Sequence, residues 1–354
     1  MYTLGIDLHK KDSEWVLIDD KYQDVWSRQK IQSHPKEFNR TLKELPVPIQ
    51  GLSVAVEPVG AWRPLTSTLK EAGMEVHIAN PRKVRLIAES TQKTDYKDAH
   101  TLAQLLQSGY FPEARKVPEE IYQLRLLIRE RQHVVRMRVS TINRLHGVAT
   151  TQGLHKIAYG NPRTKAGKAS IMAGSNTILQ ELHLLIEELD KRIAVFDDTC
   201  THQVKDLPLA QLLMTIPGVG VITALTVLGE VGDFNDFKHP KKLTAFAGLV
   251  PRQRSSGTIT RFGSITHQGS PLLRTALVEC AMRIHPKSAP ELFAFVERLK
   301  PTTGAKKARV ALARKLLCIM WSMVTNNQPY DRTKVLPPSV CNATLSKLDT
   351  RAGT

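Results

Sequence analysis

Cysteine is scarce and scattered in this chain. The 354 residues hold four, Cys200, Cys280, Cys318 and Cys341, with no Cys-x-x-Cys pair and no nearby set of histidines. That argues against a structural zinc site and against a disulfide framework. Long apolar runs are missing too, and none approaches the ~20 residues needed to cross a bilayer. Asp7, His9, Lys10, Lys11 and Asp12 interrupt any apolar stretch near the N-terminus, so no secretory signal is expected. The expectation is a cytoplasmic protein in a reducing compartment, with no membrane partner. Acidic residues are also in short supply.

Lys and Arg outnumber Asp and Glu by 50 to 33, a formal charge of +17. A polyanionic partner fits this excess, because each neutralised phosphate releases counterions. The basic residues are clustered. No acid lies between Asp236 and Glu279, where Lys238, Lys241, Lys242, Arg252, Arg254, Arg261 and Arg274 fall. A second block, Lys300 to Lys315, includes Lys306 and Lys307 and again has no acid. Both read as a nucleic-acid footprint rather than general solubility.

The few acids include four in informative places. Asp7 closes the apolar run from Met1, and Glu57 ends a second run, Leu52 to Val56, before Pro58. Asp95 and Asp98 stand three residues apart at the start of a helical stretch, on one helix face. Strands are expected over 2–8, 14–19, 24–31, 52–57 and 75–79, and helices over 35–45, 61–73, 81–89 and 97–108. This is the element order of a ribonuclease H-like α/β fold, in which the first and fourth strands are neighbours. Asp7 would then lie beside Glu57, with the helical pair close by. Oxygen ligands of this kind suit Mg²⁺, or Mn²⁺. Each acid alone is an ordinary surface residue; the set of four in this order points to a metal site.

From Pro118 the pattern changes to long helices. One carries the apolar stripe Leu124, Leu127, Ile128, Val134, Val135, Ile142 and Leu145, with Arg125, Arg129, Arg131, Arg136, Arg138 and Arg144 on its other faces. A polar loop over 151–174 precedes a second helix from Ser175, striped by Ile178, Leu182, Leu185, Leu189, Ile193 and Phe196. An antiparallel coiled-coil hairpin over 118–206 accounts for both, although plain helix core would look the same. The arginine faces are either solvated surface or contacts to DNA or RNA. A mainly α-helical unit then spans 207–330. It opens on Ile216-Pro217-Gly218-Val219-Gly220, like a helix–hairpin–helix turn with glycine-exposed amides for a phosphate. Residues 331–354 read as a poorly ordered tail.

Within the acid-free segment, Arg252-Gln253-Arg254-Ser255-Ser256-Gly257 offers hydroxyls in an arginine-rich, glycine-flanked loop. A serine there could attack a phosphodiester, or make only local hydrogen bonds. The combined motifs resemble one family, the insertion-sequence transposases of the 110 and 1111 type, which are related to Piv-type DNA invertases. Gly5-Ile6-Asp7, Glu57-Pro58-Val59-Gly60-Ala61-Trp62, Thr94 to Ala99, Ile216 to Gly220, Phe246 to Pro251, Ser256-Gly257 and Gly269 to Arg274 carry the resemblance. Val59 departs from it, since relatives commonly have threonine there.

The resemblance implies a RuvC-like domain over 1–117 with Asp7, Glu57, Asp95 and Asp98 holding the metal. It also implies a transposase domain over 207–330 with Ser256 as nucleophile, Ser255 being an adjacent rival. Further implications are donor and target DNA as partners, a guide (bridge) RNA from the element itself, and a homodimer or homotetramer. Nucleic-acid contacts are expected at Arg125, Arg129, Arg136, Lys241, Lys242, Arg252, Arg254, Arg261, Arg274, Lys306 and Lys307. Other readings are an invertase, a RuvC-like junction endonuclease that uses water, and a non-catalytic nucleic-acid binder.

Overall fold

The protein's structure, a computed structural model, describes residues 1–60, 62–87, 94–115, 117–256 and 259–334, with the side chains at 254–256 and 259–261 left outside that description. The expected tail beyond Lys334, with Cys341, lies outside the described residues. The chain divides into two compact units, Met1–Lys116 and Val117–Thr354. No helix among the described residues is long and apolar enough to cross a membrane.

The first unit is a mixed sheet with helices. Its elements are β1 (Thr3–Leu8), β2 (Asp12–Ile18), β3 (Asp24–Gln32), α1 (Pro35–Leu42), β4 (Ser53–Val56), α2 (Trp62–Glu71), β5 (Glu75–Ile78), α3 (Pro81–Ile87) and α4 (Asp95–Gln107). The strand order is β3-β2-β1-β4-β5. Strands β1 and β4 pair in parallel, from Thr3 with Ser53 to Ile6 with Val56, so the expected adjacency of the first and fourth strands is present. All six residues of β1 are buried, as expected of a central strand covered on both faces. One face packs Leu4, Ile6, Leu8, Val54 and Val56 against Phe38, Leu65 and Leu69 of α1 and α2. On the other face lies α4, whose Ala99 and Ala103 meet Val16 and Ile18.

The approach of α4 depends on Gly5. A Cβ built there would sit 1.9 Å from the Ala99 carbonyl oxygen and 2.9 Å from the Ala103 amide nitrogen. Only hydrogen on β1 and methyl groups on α4 permit this distance. Thr94 caps α4 by accepting from the Lys97 N–H, which fixes where the helix begins and hence where Asp95 and Asp98 project.

The second unit is mainly helical. It comprises α5 (Glu119–Thr151), α6 (His155–Ala158), α7 (Lys165–Met172), α8 (Thr177–Lys205), α9 (Pro208–Met214), α10 (Val221–Val231), α11 (Pro240–Phe246), β6 (Pro251–Ser256), β7 (Ile259–Ile265), α12 (Pro271–Arg283), α13 (Pro290–Thr303) and α14 (Ala305–Asn326). Helices α5 and α8 run antiparallel, as the ion pairs Arg131–Asp197 and Arg138–Asp190 show. Two expectations need correction. The segment 151–174 is not a plain loop: it forms α6 and α7, which bury Ala158 and Ile171 against Leu145, Leu179 and Ile186. The stripe on α8 is also shifted. Leu179, Ile186, Leu189 and Ile193 are buried, whereas Ile178 and Leu185 are exposed. Two apolar stripes overlap on this helix, and spacing alone does not say which one meets the partner.

The base of this helical pair is continuous with the helices from α9 onward. Leu124, Ile128, Cys200 and Val204 share one core with Leu213, Leu225, Leu277, Leu312 and Leu316.

The Gly5 packing yields a test. Gly5→Ala should destabilise the first unit by on the order of 3 kcal/mol, the cost of overpacking against backbone that cannot yield. It should also weaken divalent-ion binding by displacing α4. Thermal unfolding and calorimetric titration check both effects, and wild-type behaviour in each would refute the role given to Gly5.

Candidate metal centre and basic surfaces

Asp7 is the penultimate residue of β1, and its side chain is almost wholly buried. Its Oδ2 atom is buried without a hydrogen-bond partner. Glu57 follows β4 directly, and its backbone N–H donates to the Ile6 carbonyl at 3.4 Å, holding it alongside Asp7. Asp95 and Asp98 occupy the first turn of α4, where the helix dipole favours negative charge. Glu57, Asp98 and Asp95 all act electrostatically on Asp7. Asp95 thus falls in one 4.8 Å cluster with Asp7, whereas Glu57 and Asp98 lie outside that cluster and act on Asp7 electrostatically.

Two residues went unnoticed in the sequence. His9 Nε2 lies 3.3 Å from Asp7 Oδ2 and 3.1 Å from Asp95 Oδ1. One ligand atom from each of Asp7, His9 and Asp95 falls within 4.8 Å of the others. The signal was available: residues i and i+2 at a strand end face the same way. Glu14 stands directly across from Asp7 in the antiparallel register of β1 and β2, and its Oε2 is also buried without a partner. Its signal was alternation on β2, which becomes legible only once the register is known.

The electrostatics follow from crowding. Burial pushes the Asp7 carboxyl up to about 7, against the pull of His9 and with help from Glu57, Asp98 and Asp95. Glu14 is raised by burial and by Asp95. For His9, burial opposes the charged form, but Asp7 and Asp95 outweigh it and the imidazole is raised. A cluster of oxygens, two of them buried without a hydrogen bond, set against a single imidazole fits a hard divalent cation.

The basic residues separate into distinct roles. Arg125 donates to the Gly229 carbonyl at 2.7 Å, and Arg129 forms a two-pronged pair with buried Glu230 at 2.8 and 3.0 Å. Both tie α5 to the end of α10, a structural role that the charge pattern did not reveal. Arg274 donates to the Ala247 and Gln268 carbonyls, joining two loops. Those loops also meet at glycine. Gly269 has φ +71°, and a Cβ there would lie 2.0 Å from the Phe246 oxygen. Arg136, Lys241, Lys242, Arg252, Lys306 and Lys307 are exposed. The side chains of Arg254 and Arg261 lie outside the described residues.

The serine segment is a correction. It is not a loop but a two-stranded antiparallel ribbon, β6 with β7, in which Ser255 pairs with Thr260 and Ser256 with Ile259. Arginine, glutamine and serine in a row disguised a strand. The side chains of Ser255 and Ser256, and the whole of Gly257, lie outside the described residues. The Pro217-Gly218-Val219-Gly220 turn links α9 to α10. Gly218 takes φ +85°, and its carbonyl accepts from Cys280 Sγ at 3.3 Å.

Comparison with known proteins makes this an enzyme of the DNA-recombining class. Residues 4–151 match a DEDD-type transposase profile, and residues 210–297 match that of the "Transposase IS116/IS110/IS902 family". The chain is 29% identical to the transposase for insertion sequence element IS1111A of Coxiella burnetii, over 92% of this chain and 90% of that protein. It is 26% identical to the IS1328 transposase of Yersinia enterocolitica, over 93% of this chain and 98% of that one. A pilin gene-inverting protein of Moraxella lacunata is 29% identical, over 79% of this chain and 82% of its own length. The protein is a transposase carrying IS110/IS116/IS902 family transposase domains.

Two outcomes are expected. With its folded value near 7 and its unfolded value near 3.8, Asp7 lowers metal-free stability as pH rises through that window. Asp7→Asn should therefore raise the metal-free melting temperature at pH 8, by on the order of 1–2 kcal/mol of stability. At pH 4 it should give no gain, and at pH 8 it should abolish stabilisation by added Mg²⁺. Among the arginines, Arg129→Ala should cost on the order of 2 kcal/mol by leaving Glu230 buried and unpaired. Arg136→Ala should leave stability unchanged while lowering the salt slope of DNA binding by about one. Equal melting temperatures for the two variants would refute this division.

Proposed function

We propose that the chain excises and inserts the DNA of its insertion sequence by strand exchange, with Asp7, Glu57, Asp95 and Asp98 holding Mg²⁺, or Mn²⁺, and Ser256 as nucleophile. The buried Asp7 carboxylate, with Asp95 in the same 4.8 Å cluster and with Glu57 and Asp98 acting on it electrostatically, supports this reading most directly. In it, residues 1–117 form a RuvC-like, ribonuclease H-like domain, 118–206 a coiled-coil hairpin, and 207–330 the transposase domain.

The bound ion would neutralise charge building up on the scissile phosphate and on the departing oxygen. The Ser256 hydroxyl oxygen attacks phosphorus, a phosphoserine ester forms, and the bond to the 3′-oxygen breaks. The serine proton ends on that 3′-oxygen, which leaves as a hydroxyl. Attack by the 3′-hydroxyl of another strand reverses these steps and frees Ser256, so a phosphodiester is exchanged without net hydrolysis. Arg252, Arg254 and Arg261 share the ribbon with Ser256 and would stabilise the pentacoordinate charge. Arg136, Lys241, Lys242, Lys306 and Lys307 are the exposed cations best suited to phosphate contacts, on donor and target DNA or on a guide RNA from the element. Assembly as a homodimer or homotetramer belongs to the same reading.

A second reading is a site-specific invertase, favoured by the likeness to the pilin gene-inverting protein. Substrates with element ends and substrates with an invertible segment separate the two by their products.

With cognate DNA and RNA, wild type should yield a protein–DNA adduct that survives denaturing electrophoresis. Ser256→Ala should lose both adduct and strand cleavage, by at least about a thousandfold, yet keep nucleic-acid binding, since only one hydroxyl is removed. Ser255→Ala should retain activity. Cleavage by Ser256→Ala without an adduct would replace this reading with a water-using, RuvC-like junction endonuclease.

A further inference from the structure

The family profile is named for its four carboxylates; the geometry adds a nitrogen. We propose that His9 is a direct ligand of the divalent ion, so that the centre is a mixed oxygen and nitrogen site with a built-in preference for Mn²⁺ over Mg²⁺. This rests on the reading of the four acids as a metal centre.

His9 Nε2 lies between Asp7 Oδ2 and Asp95 Oδ1, at 3.3 and 3.1 Å, and the three ligand atoms fall within one 4.8 Å cluster. Neither Glu57 nor Asp98 enters that cluster, so the histidine is nearer its centre than two of the carboxylates.

The position of His9 is built rather than incidental. Its backbone N–H donates to the Asp12 carbonyl at 2.8 Å, closing the turn between β1 and β2. Its carbonyl accepts from the Ser33 hydroxyl at 2.9 Å, which joins the turn to the end of β3. On a third side comes Gly60, at φ +56°, where an added Cβ would lie 3.1 Å from the His9 carbonyl oxygen. Three strand ends and the glycine that follows Glu57 thus fix one backbone position. The imidazole itself makes no bond that would hold it for structure alone, and its side chain is 42% exposed. Its contacts are the two carboxylates.

The chemistry of a nitrogen donor sets the prediction. Mg²⁺ demands oxygen and keeps much of its water, whereas Mn²⁺ accepts imidazole readily. Replacing His9 should therefore weaken Mn²⁺ binding more than Mg²⁺ binding.

Full-length protein titrated with Mn²⁺ alone, without DNA, provides the test. Pulsed electron paramagnetic resonance of the bound ion should show nitrogen modulation in wild type and none in His9→Gln. The same variant should bind Mn²⁺ at least tenfold more weakly, with Mg²⁺ affinity, measured by competition, changing less than threefold. The exposed side chain can be replaced without leaving a cavity, and an unchanged thermal melt in chelator confirms folding. Asp7→Asn separates the two layers of inference. If it abolishes Mn²⁺ binding while His9→Gln binds normally and wild type shows no nitrogen coupling, the centre stands and the histidine ligand is refuted. If Asp7→Asn binds Mn²⁺ as wild type does, the carboxylate centre fails, and the His9 proposal with it.

Discussion

The candidate metal centre depends on how closely one helix can approach one strand. Asp7 comes from β1, whereas Asp95 and Asp98 come from α4, and no hydrogen bond between the two backbones sets their spacing. Contact does: the bare Gly5 Cα meets the carbonyl of Ala99 and the amide of Ala103. A methyl group at Gly5 would hold the helix off, and the acids on it would move with it. The Gly-Ile-Asp run is therefore a single device, with a spacer of no size two residues before the ligand that it positions. Gly60, three residues after Glu57, likewise rests close on the His9 backbone.

Much of this was legible beforehand because the relevant signals are local. Apolar runs ended by an acid gave the strands, and the adjacency of β1 and β4 followed from element order. Asp95 and Asp98 were legible as a pair at a helix start, although the helix begins at Asp95 and not at residue 97. His9 and Glu14 could not be weighed in the same way. Their importance comes from pairing, with Glu14 opposite Asp7 in a register that no stretch of sequence specifies. The serine segment failed for a related reason. Strands are recognised by apolar alternation, and the Pro-Arg-Gln-Arg-Ser-Ser run of β6 has none.

The arginines teach a similar lesson about charge. Composition pointed to a polyanion, and many cations are exposed, but Arg125, Arg129 and Arg274 face carbonyls or a buried carboxylate of their own chain. Planar guanidinium groups satisfy helix ends and loop carbonyls well, so an arginine on a basic helix face has two uses that sequence alone does not distinguish. Burial of the partner decides: Glu230 is almost wholly enclosed, and it requires its arginine.

Helix α5 runs for 33 residues, a rod about 50 Å long at the α-helical rise. Its two ends are held differently from its middle. At one end Leu124 and Ile128 enter the large core, and at the other Leu145 and Ala149 enter a small core with α6 and α7. Between them, α5 has no buried residue, and the ion pairs of Arg131 and Arg138 tie it to α8. The rod is greasy at both ends and charged at the waist. Dissolved salt weakens the waist well before it loosens either end. Ionic strength thus acts on the stiffness of the arm near its midpoint, where a bend would swing the outer half and leave the base in its core.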